Sequence, residues 1–274
     1  VKQSNVYVIG FSVACTVILG AMLSLAAVGL QEKQTEARDL DTQKQILGAV
    51  MVLKKEDNVK EIYSKRIKSF VIDANGDEKA GIIAEKVDIG KNYKLAPEAR
   101  EYPVFKFVAE NNPDEVESYI LPVYGNGLWD RIWGYLALSG DLNTVKGIVF
   151  DHKAETPGLG ARISDKEIQE RYVNKKLYDN TGKFVSVTML KSEKGNTLDD
   201  HKVDGMSGAT MTANGVNRMI KAYVSYYQPY LDKVARAKAT KKEMPVMDSM
   251  QMNIDTAKVV IDTMNTAKPQ TETK

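Results

Sequence analysis

Residues 6–30 read VYVIGFSVACTVILGAMLSLAAVGL, and no charged side chain interrupts them. As an α-helix the run would rise about 37 Å, against about 30 Å for the hydrocarbon core of a bilayer. It predicts one membrane-spanning helix with room for tilt. Gly10, Gly20 and Gly29 are no obstacle, because a helix satisfies its own backbone hydrogen bonds in lipid. A cleaved signal peptide is the competing reading. Its apolar region ordinarily covers about 7–15 residues, and LAAVG at 25–29 offers small residues for a cleavage site. Lys2 lies on one flank, and Lys33 and Arg38 lie on the other. The positive charges therefore do not orient the span.

Outside that run the chain has an ordinary composition. Its 274 residues are 43% hydrophobic and 27% charged, with a net charge of +2. Those values exclude a wholly disordered chain and a disulfide scaffold. They also provide no global basic field for nucleic acid. The mean hydropathy of −0.33 averages an apolar segment with a polar remainder. The one cysteine, Cys15, lies inside the span. An intramolecular disulfide, a Cys-x-x-Cys redox pair and a thiol-based zinc site are thereby excluded.

Working outward, residues 31–45, QEKQTEARDLDTQKQ, form a polar stalk. Ile46, Leu47, Val50 and Leu53 then recur at helical spacing, which predicts a helix near 40–56. Val71-Ile72, the turn signal Asn75-Gly76 and Gly81-Ile82-Ile83 predict a β-hairpin. Alternating stretches at 117–123, 132–139, 145–150 and 184–190 read as strands. Ser164 and Glu167 have capping-box spacing and predict a helix over 165–177. Val216, Met219, Ile220, Tyr223, Val224 and Tyr227 share one helical face over 212–228, with Pro229 expected to end it. Residues 46–232 thus form one globular domain. Residues 233–274, rich in Lys, Thr, Met and Ala, read as an appendage, disordered in part or used to bind a partner. The fold class is α+β: a single transmembrane helix followed by one globular domain.

Three short motifs are candidates for chemistry. The first is DGMSGATMTANG at 204–215. It places Gly205, Ser207, Gly208 and Thr210 in a small polar turn before the amphipathic helix. A helix N-terminus offers unpaired N–H groups and partial positive charge, a natural seat for a phosphate. Plain N-capping by Ser207, Thr210 or Thr212 explains the same residues. The second is HKAETPGLGA at 152–161, which on its own describes a tight Pro-Gly turn between a strand and a helix. The third is YGNGLW at 124–129, whose tryptophan could equally belong to a core. Hydrolase triads lack a positioned base, since only His152 and His201 exist. There is no P-loop, no H-E-x-x-H and no EF-hand loop. Gly158-Leu-Gly-Ala-Arg162 lacks the third glycine of a dinucleotide fingerprint.

Together these motifs resemble a family of flavinylated, FMN-binding domains. Asp204-Gly205-Met206-Ser207-Gly208-Ala209-Thr210 matches the flavinylation pattern D-x-x-[ST]-G-A-[ST]. The resemblance implies FMN joined to the Thr210 hydroxyl by a phosphoester, attached by a dedicated flavin transferase. Asp204, Ser207, Gly208 and Ala209 would form the recognised turn. By the same resemblance the 152–161 segment runs beside the isoalloxazine. Gly158 and Gly160 would admit close backbone approach, Leu159 would pack on the ring, and Glu155 or Thr156 would bond its polar edge. Leu128 and Trp129 would stack on the ring or wall it off. Lys191 would place a positive charge near the flavin N1–C2=O region.

The order of span and motifs is most similar to the C-subunit family of sodium-translocating NADH:quinone reductases. The alternative is the G subunit of Rnf-type ferredoxin:NAD complexes. The resemblance implies a domain in the periplasm, anchored to the bacterial inner membrane. It implies partners among the other membrane and cytoplasmic subunits. Electrons would pass one at a time between an iron centre held by membrane subunits and a second covalent FMN on the B subunit. This chain would bind neither NADH nor quinone itself.

Overall fold

The computed structural model describes residues 4–193 and 198–265, with side chains through residue 240. Its first element, α1 (Asn5–Gly48), is one unbroken helix. The expected stalk at 31–45 and the helix expected at 40–56 are both part of it, up to Gly48. The polar segment contains neither Gly nor Pro and is rich in Gln, Glu and Lys, so helical propensity carries the span straight on. The apolar side chains of 6–30 project from the domain uncovered. The most apolar 18-residue window has a mean hydropathy of 2.3, and none of it is buried. Length and composition fit a transmembrane span.

The centre of the domain is a six-stranded antiparallel sheet. It is built from β1 (Ile67–Ile72), β2 (Glu78–Lys79), β3 (Tyr102–Val108), β4 (Val116–Asn126), β5 (Arg131–Ser139) and β6 (Val145–His152). Their order across the sheet is β2-β1-β3-β4-β5-β6. The strands expected at 117–123, 132–139 and 145–150 are β4, β5 and β6. The expected hairpin forms, but its return strand is Glu78–Lys79 rather than 81–83. The Asp73 carboxylate closes the turn by accepting from Asn75 and Asp77 N–H at 2.9 Å each. Gly81, at φ +82°, then swings the chain off the sheet edge.

Both faces of the sheet are covered, which explains why its strands are apolar on two sides. The last turn of α1 and α2 (Val59–Arg66) lie on one face, burying Ile46, Leu47, Val59 and Tyr63 against Phe105, Phe107, Ile120 and Ala137. The opposite face carries α5 (Thr210–Asn265), whose Val216, Met219, Ile220, Tyr223, Val224 and Tyr227 pack on Tyr102, Leu121, Val123 and Leu136. That is the apolar stripe expected at 212–228. Two short helices, α3 (Ile89–Asn92) and α4 (Lys166–Glu170), and a small parallel pair, β7 (Thr188–Met189) with β8 (Lys202–Val203), complete the domain.

Three local expectations are overturned. Pro229 does not end α5, which runs on to Asn265. Losing one helical bond at proline costs about 3 kcal/mol. Just beyond it, Tyr230 and Leu231 are buried, each contributing roughly 1.5–3 kcal/mol. The appendage expected from 233 is therefore helical to 265, and residues 266–274 lie outside the described residues. The helix expected over 165–177 stops at Glu170. Its first residue is preceded by Asp165, and Ser164 makes no capping bond. Glu167 instead pairs with Arg171 at 2.5 Å. Beyond it, Val145 exchanges backbone bonds with Asn174 and Lys175, so edge pairing with β6 displaces further helix. The strand expected at 184–190 shrinks to Thr188–Met189. Ser186 takes φ +67°, and both Val185 and Ser186 N–H point to the Leu177 carbonyl.

Candidate functional site

Three loops converge where α5 begins. One joins β4 to β5 (127–130), one follows β6 (153–160), and one leads into α5 (204–209). The third sets the geometry. Gly208 takes φ +75°, the left-handed conformation that closes the Ser207-Gly208 turn. Ala209 N–H bonds to the Met206 carbonyl at 3.1 Å, and the Ala209 carbonyl accepts the first α5 bond, from Ala213, at 3.0 Å. Thr210 is thus the first helical residue. The N–H groups of Thr210, Met211 and Thr212 have no intrahelical acceptor. Thr210 itself is half-buried.

Glu155 ties the loops together. It is only 4% exposed. One carboxylate oxygen accepts from Leu128 N–H at 2.9 Å and Trp129 N–H at 3.0 Å. The other accepts the buried Thr212 hydroxyl at 2.6 Å. Burial pushes the carboxyl upward, but the Thr212 hydroxyl and the backbone N–H groups of Trp129, Leu128 and Asp130 outweigh it and hold the group below its ordinary value. The structure therefore spends this carboxylate on protein donors, whereas a bond to a ring edge was one expectation for it. Thr156, its neighbour, accepts from the Trp129 indole N–H at 3.1 Å and so fixes the indole's direction. His152 Nδ1 accepts from Glu155 N–H at 3.3 Å, a structural role.

The three loops and the start of α5 expose large apolar side chains. Trp129 is 67% exposed, Met211 54% and Leu159 43%, with Leu128 similarly open. Trp129 is thus not a core residue. A Cβ on Gly208 would sit 3.0 Å from the Leu159 side chain, so that leucine lies directly over the turn. Gly158, at φ +74°, makes the bend that presents it. Gly160 packs so tightly on Glu155 and Thr212 that a Cβ would come within 2.5 Å of both side chains. The structure thus brings together Leu128, Trp129, Glu155, Thr156, Gly158, Leu159, Gly160, Gly208, Ala209 and Thr210.

Asp204 and Lys191 stand one step behind this group. The backbone of Leu190 and Ser192 lies against Gly205, whose N–H bonds to the Ser192 carbonyl at 3.0 Å. Lys191 is exposed on that bend and forms no ion pair among the described residues. Two supporting residues escaped sequence reasoning, and a third was named there only as a possible helix cap. Thr212 is the buried partner of Glu155. Arg171 donates to the Gly205 carbonyl at 2.7 Å and the Asp204 carbonyl at 3.3 Å, holding the approach to the turn. The Asn217 amide bonds both backbone groups of Met189, at 2.7 and 2.9 Å, and so docks β7 on α5. Thr212 lies inside the 204–215 motif, but its partner Glu155 lies 57 positions away, so its role could not be read there; Arg171 and Asn217 carried no signal.

Comparison with known proteins points to one group. The FMN-binding domain family matches residues 127–225, the stretch containing all three loops. The C subunit of the Na(+)-translocating NADH-quinone reductase of Vibrio vulnificus is 32% identical over 251 residues, covering 85% of this chain and 95% of its own. The crystal structure of the corresponding protein from Parabacteroides distasonis superposes with a TM-score of 0.65 at 33% identity, covering 74% of this chain and 96% of its own. Shewanella oneidensis NqrC gives 0.64 at 28% identity, covering 72% and 98%.

Proposed function

This chain belongs to the C-subunit family of Na(+)-translocating NADH-quinone reductases, and we propose on that footing that it is the electron-transfer subunit whose Thr210 carries FMN by a phosphoester. One observation carries the assignment. Thr210 opens α5 next to the exposed Met211 and beside Gly208, over which Leu159 lies, while the loop bearing the exposed Trp129 is tied through Glu155 to Thr212. A phosphate on its hydroxyl would lie beside the N–H groups that α5 leaves unpaired, and the helix dipole favours its negative charge by about 0.3–1 kcal/mol. The apolar rim offers the ring a bed. Leu159 and Trp129 supply faces for it, and the left-handed Gly208 and Gly158 keep side chains out of its way. Bound here, FMN supplies one-electron chemistry that no side chain of the domain possesses.

The chain's own residues bind, orient and shield. Thr210 anchors the phosphate, and Ser207, Gly208, Ala209 and Asp204 shape the turn that a flavin transferase would recognise. Lys191, on the bend against Gly205, would favour negative charge at the ring. α1 would hold the domain to the bacterial inner membrane, on its periplasmic side, among the other proteins of the complex. In that setting the chain would take electrons from an iron centre in the membrane-embedded partners and deliver them to the flavin of the B subunit. Covalent attachment prevents loss of the carrier between partners. The test is direct: co-express the chain with a flavin transferase, denature it and look for in-gel flavin fluorescence. A fluorescent band absent from Thr210→Val supports the assignment. A band that survives the substitution moves the attachment elsewhere.

A further inference from the structure

We propose that Glu155 is the positioning residue of this site: a sealed carboxylate that clamps the 127–130 loop to the first turn of α5. The inference rests on the FMN assignment for its purpose and on protein geometry alone for its existence. Both oxygens are used. One bonds the consecutive N–H groups of Leu128 and Trp129, and the other the Thr212 hydroxyl. The loop that presents Trp129 and the helix that presents Thr210 share no other hydrogen bond through side chains among the described residues. The clamp therefore supplies the side-chain hydrogen bonds that tie the attachment helix to the loop bearing the indole.

Two glycines corroborate it independently. A Cβ at Gly127 would overlap the carboxylate oxygen that faces the loop, and a Cβ at Gly160 would approach the other to 2.5 Å. Neither glycine has a left-handed φ that would require it. Their lack of a side chain is explained by the carboxylate packed against them. A Cβ on Gly215 would overlap the Asn126 carbonyl and crowd Gly127, so α5 also meets the end of β4 directly. The first two turns of α5 thus approach the β4–β5 loop closely, with the Glu155 carboxylate packed against Gly127 and Gly160. Its role is to hold the site's parts, with Thr212 as its far partner.

The experiment uses the full chain, with and without flavin transferase. Amide hydrogen exchange is read at Leu128 and Trp129, and fluorescence anisotropy is read on the attached flavin. Glu155→Ala should speed exchange at both amides by about tenfold or more, lower the anisotropy and leave exchange in β3 and β4 unchanged. Glu155→Gln, which keeps an acceptor for the loop and a donor toward Thr212, should restore both readouts. Thr212→Val should reproduce the loosened flavin, and Thr212→Ser should not; this pair decides the matter if Glu155→Ala does not fold. Unchanged exchange and anisotropy in Glu155→Ala would overturn the clamp. So would failure of Glu155→Gln to rescue in a folded protein, since the charge itself would then be what matters. A wild-type chain that takes no flavin would contradict the functional assignment, while the exchange arm would still test the clamp.

Discussion

At the scale of single residues, the site divides into groups that the motifs name and groups that only the fold reveals. The tight turn at Gly208 and the helix start at Thr210 were legible because spacing within one motif fixes local geometry. Glu155 was legible as a residue and not in its direction, since its partners lie 27 positions upstream and 57 downstream. A linear pattern carries no information about which donors will surround a carboxylate after folding. The depressed ionisation of Glu155 has a consequence for stability. A carboxyl held below its unfolded value, ~4.3, contributes fully above that pH and loses the contribution as pH falls through its folded value. Acid unfolding of the wild-type domain should therefore steepen below about pH 4.3, and Glu155→Gln should flatten that limb. Circular dichroism against pH checks this, and identical limbs would refute it. Gly160→Ala should destabilise by about 1–3 kcal/mol through overpacking, measured by urea melts.

Among elements, α5 and α1 teach opposite lessons. The amphipathic stripe of α5 was readable from residue 216 to 227 because periodicity reports burial directly. Its continuation past Pro229 was not, because the proline rule weighs one lost bond and is blind to the tertiary contacts beyond it. The Asn75-Gly76 turn packs its backbone on Pro229 and Tyr230, and Lys233 pairs with Asp77 at 2.6 Å. Gly76→Ala should accordingly be among the costlier loop substitutions, since φ is +75° and a Cβ would overlap the Tyr230 backbone. A loss of about 2 kcal/mol or more in a thermal melt is expected; a neutral change would show that this contact does not support the helix. The helix of α1 makes a different prediction. The polar stretch is a stiff arm, about 27 Å from residue 31 to Gly48, so phase matters. Inserting two residues near Gln34 would turn the domain by about 200°, whereas seven would nearly restore its heading. Turnover of the assembled complex should fall more with two than with seven. Equal effects would make the arm a mere tether.

For the whole molecule, a near-neutral, two-sided domain hangs from a helix whose apolar segment, residues 6–30, contributes nothing to its core, while its last turn does. Removal of residues 1–30 should leave the thermal midpoint of the domain unchanged and release it from membranes. Removal of residues 1–49 would also strip Ile46 and Leu47 from the sheet, at a cost of roughly 3–6 kcal/mol. Equal midpoints for the two truncations would contradict the packing described. The general architecture was legible because a lipid-facing run and alternating strands are both strong hydropathy signals. The irregular 171–187 region was not, because edge pairing and left-handed residues decide it. The central claim is that Thr210 is where FMN is held. Mass spectrometry of the purified full chain, matured with its flavin transferase, tests it most directly. The account predicts an added mass of one FMN less one water, localised by peptide fragmentation to Thr210. The same added mass on Ser207 or Thr212, or no added mass, would contradict it.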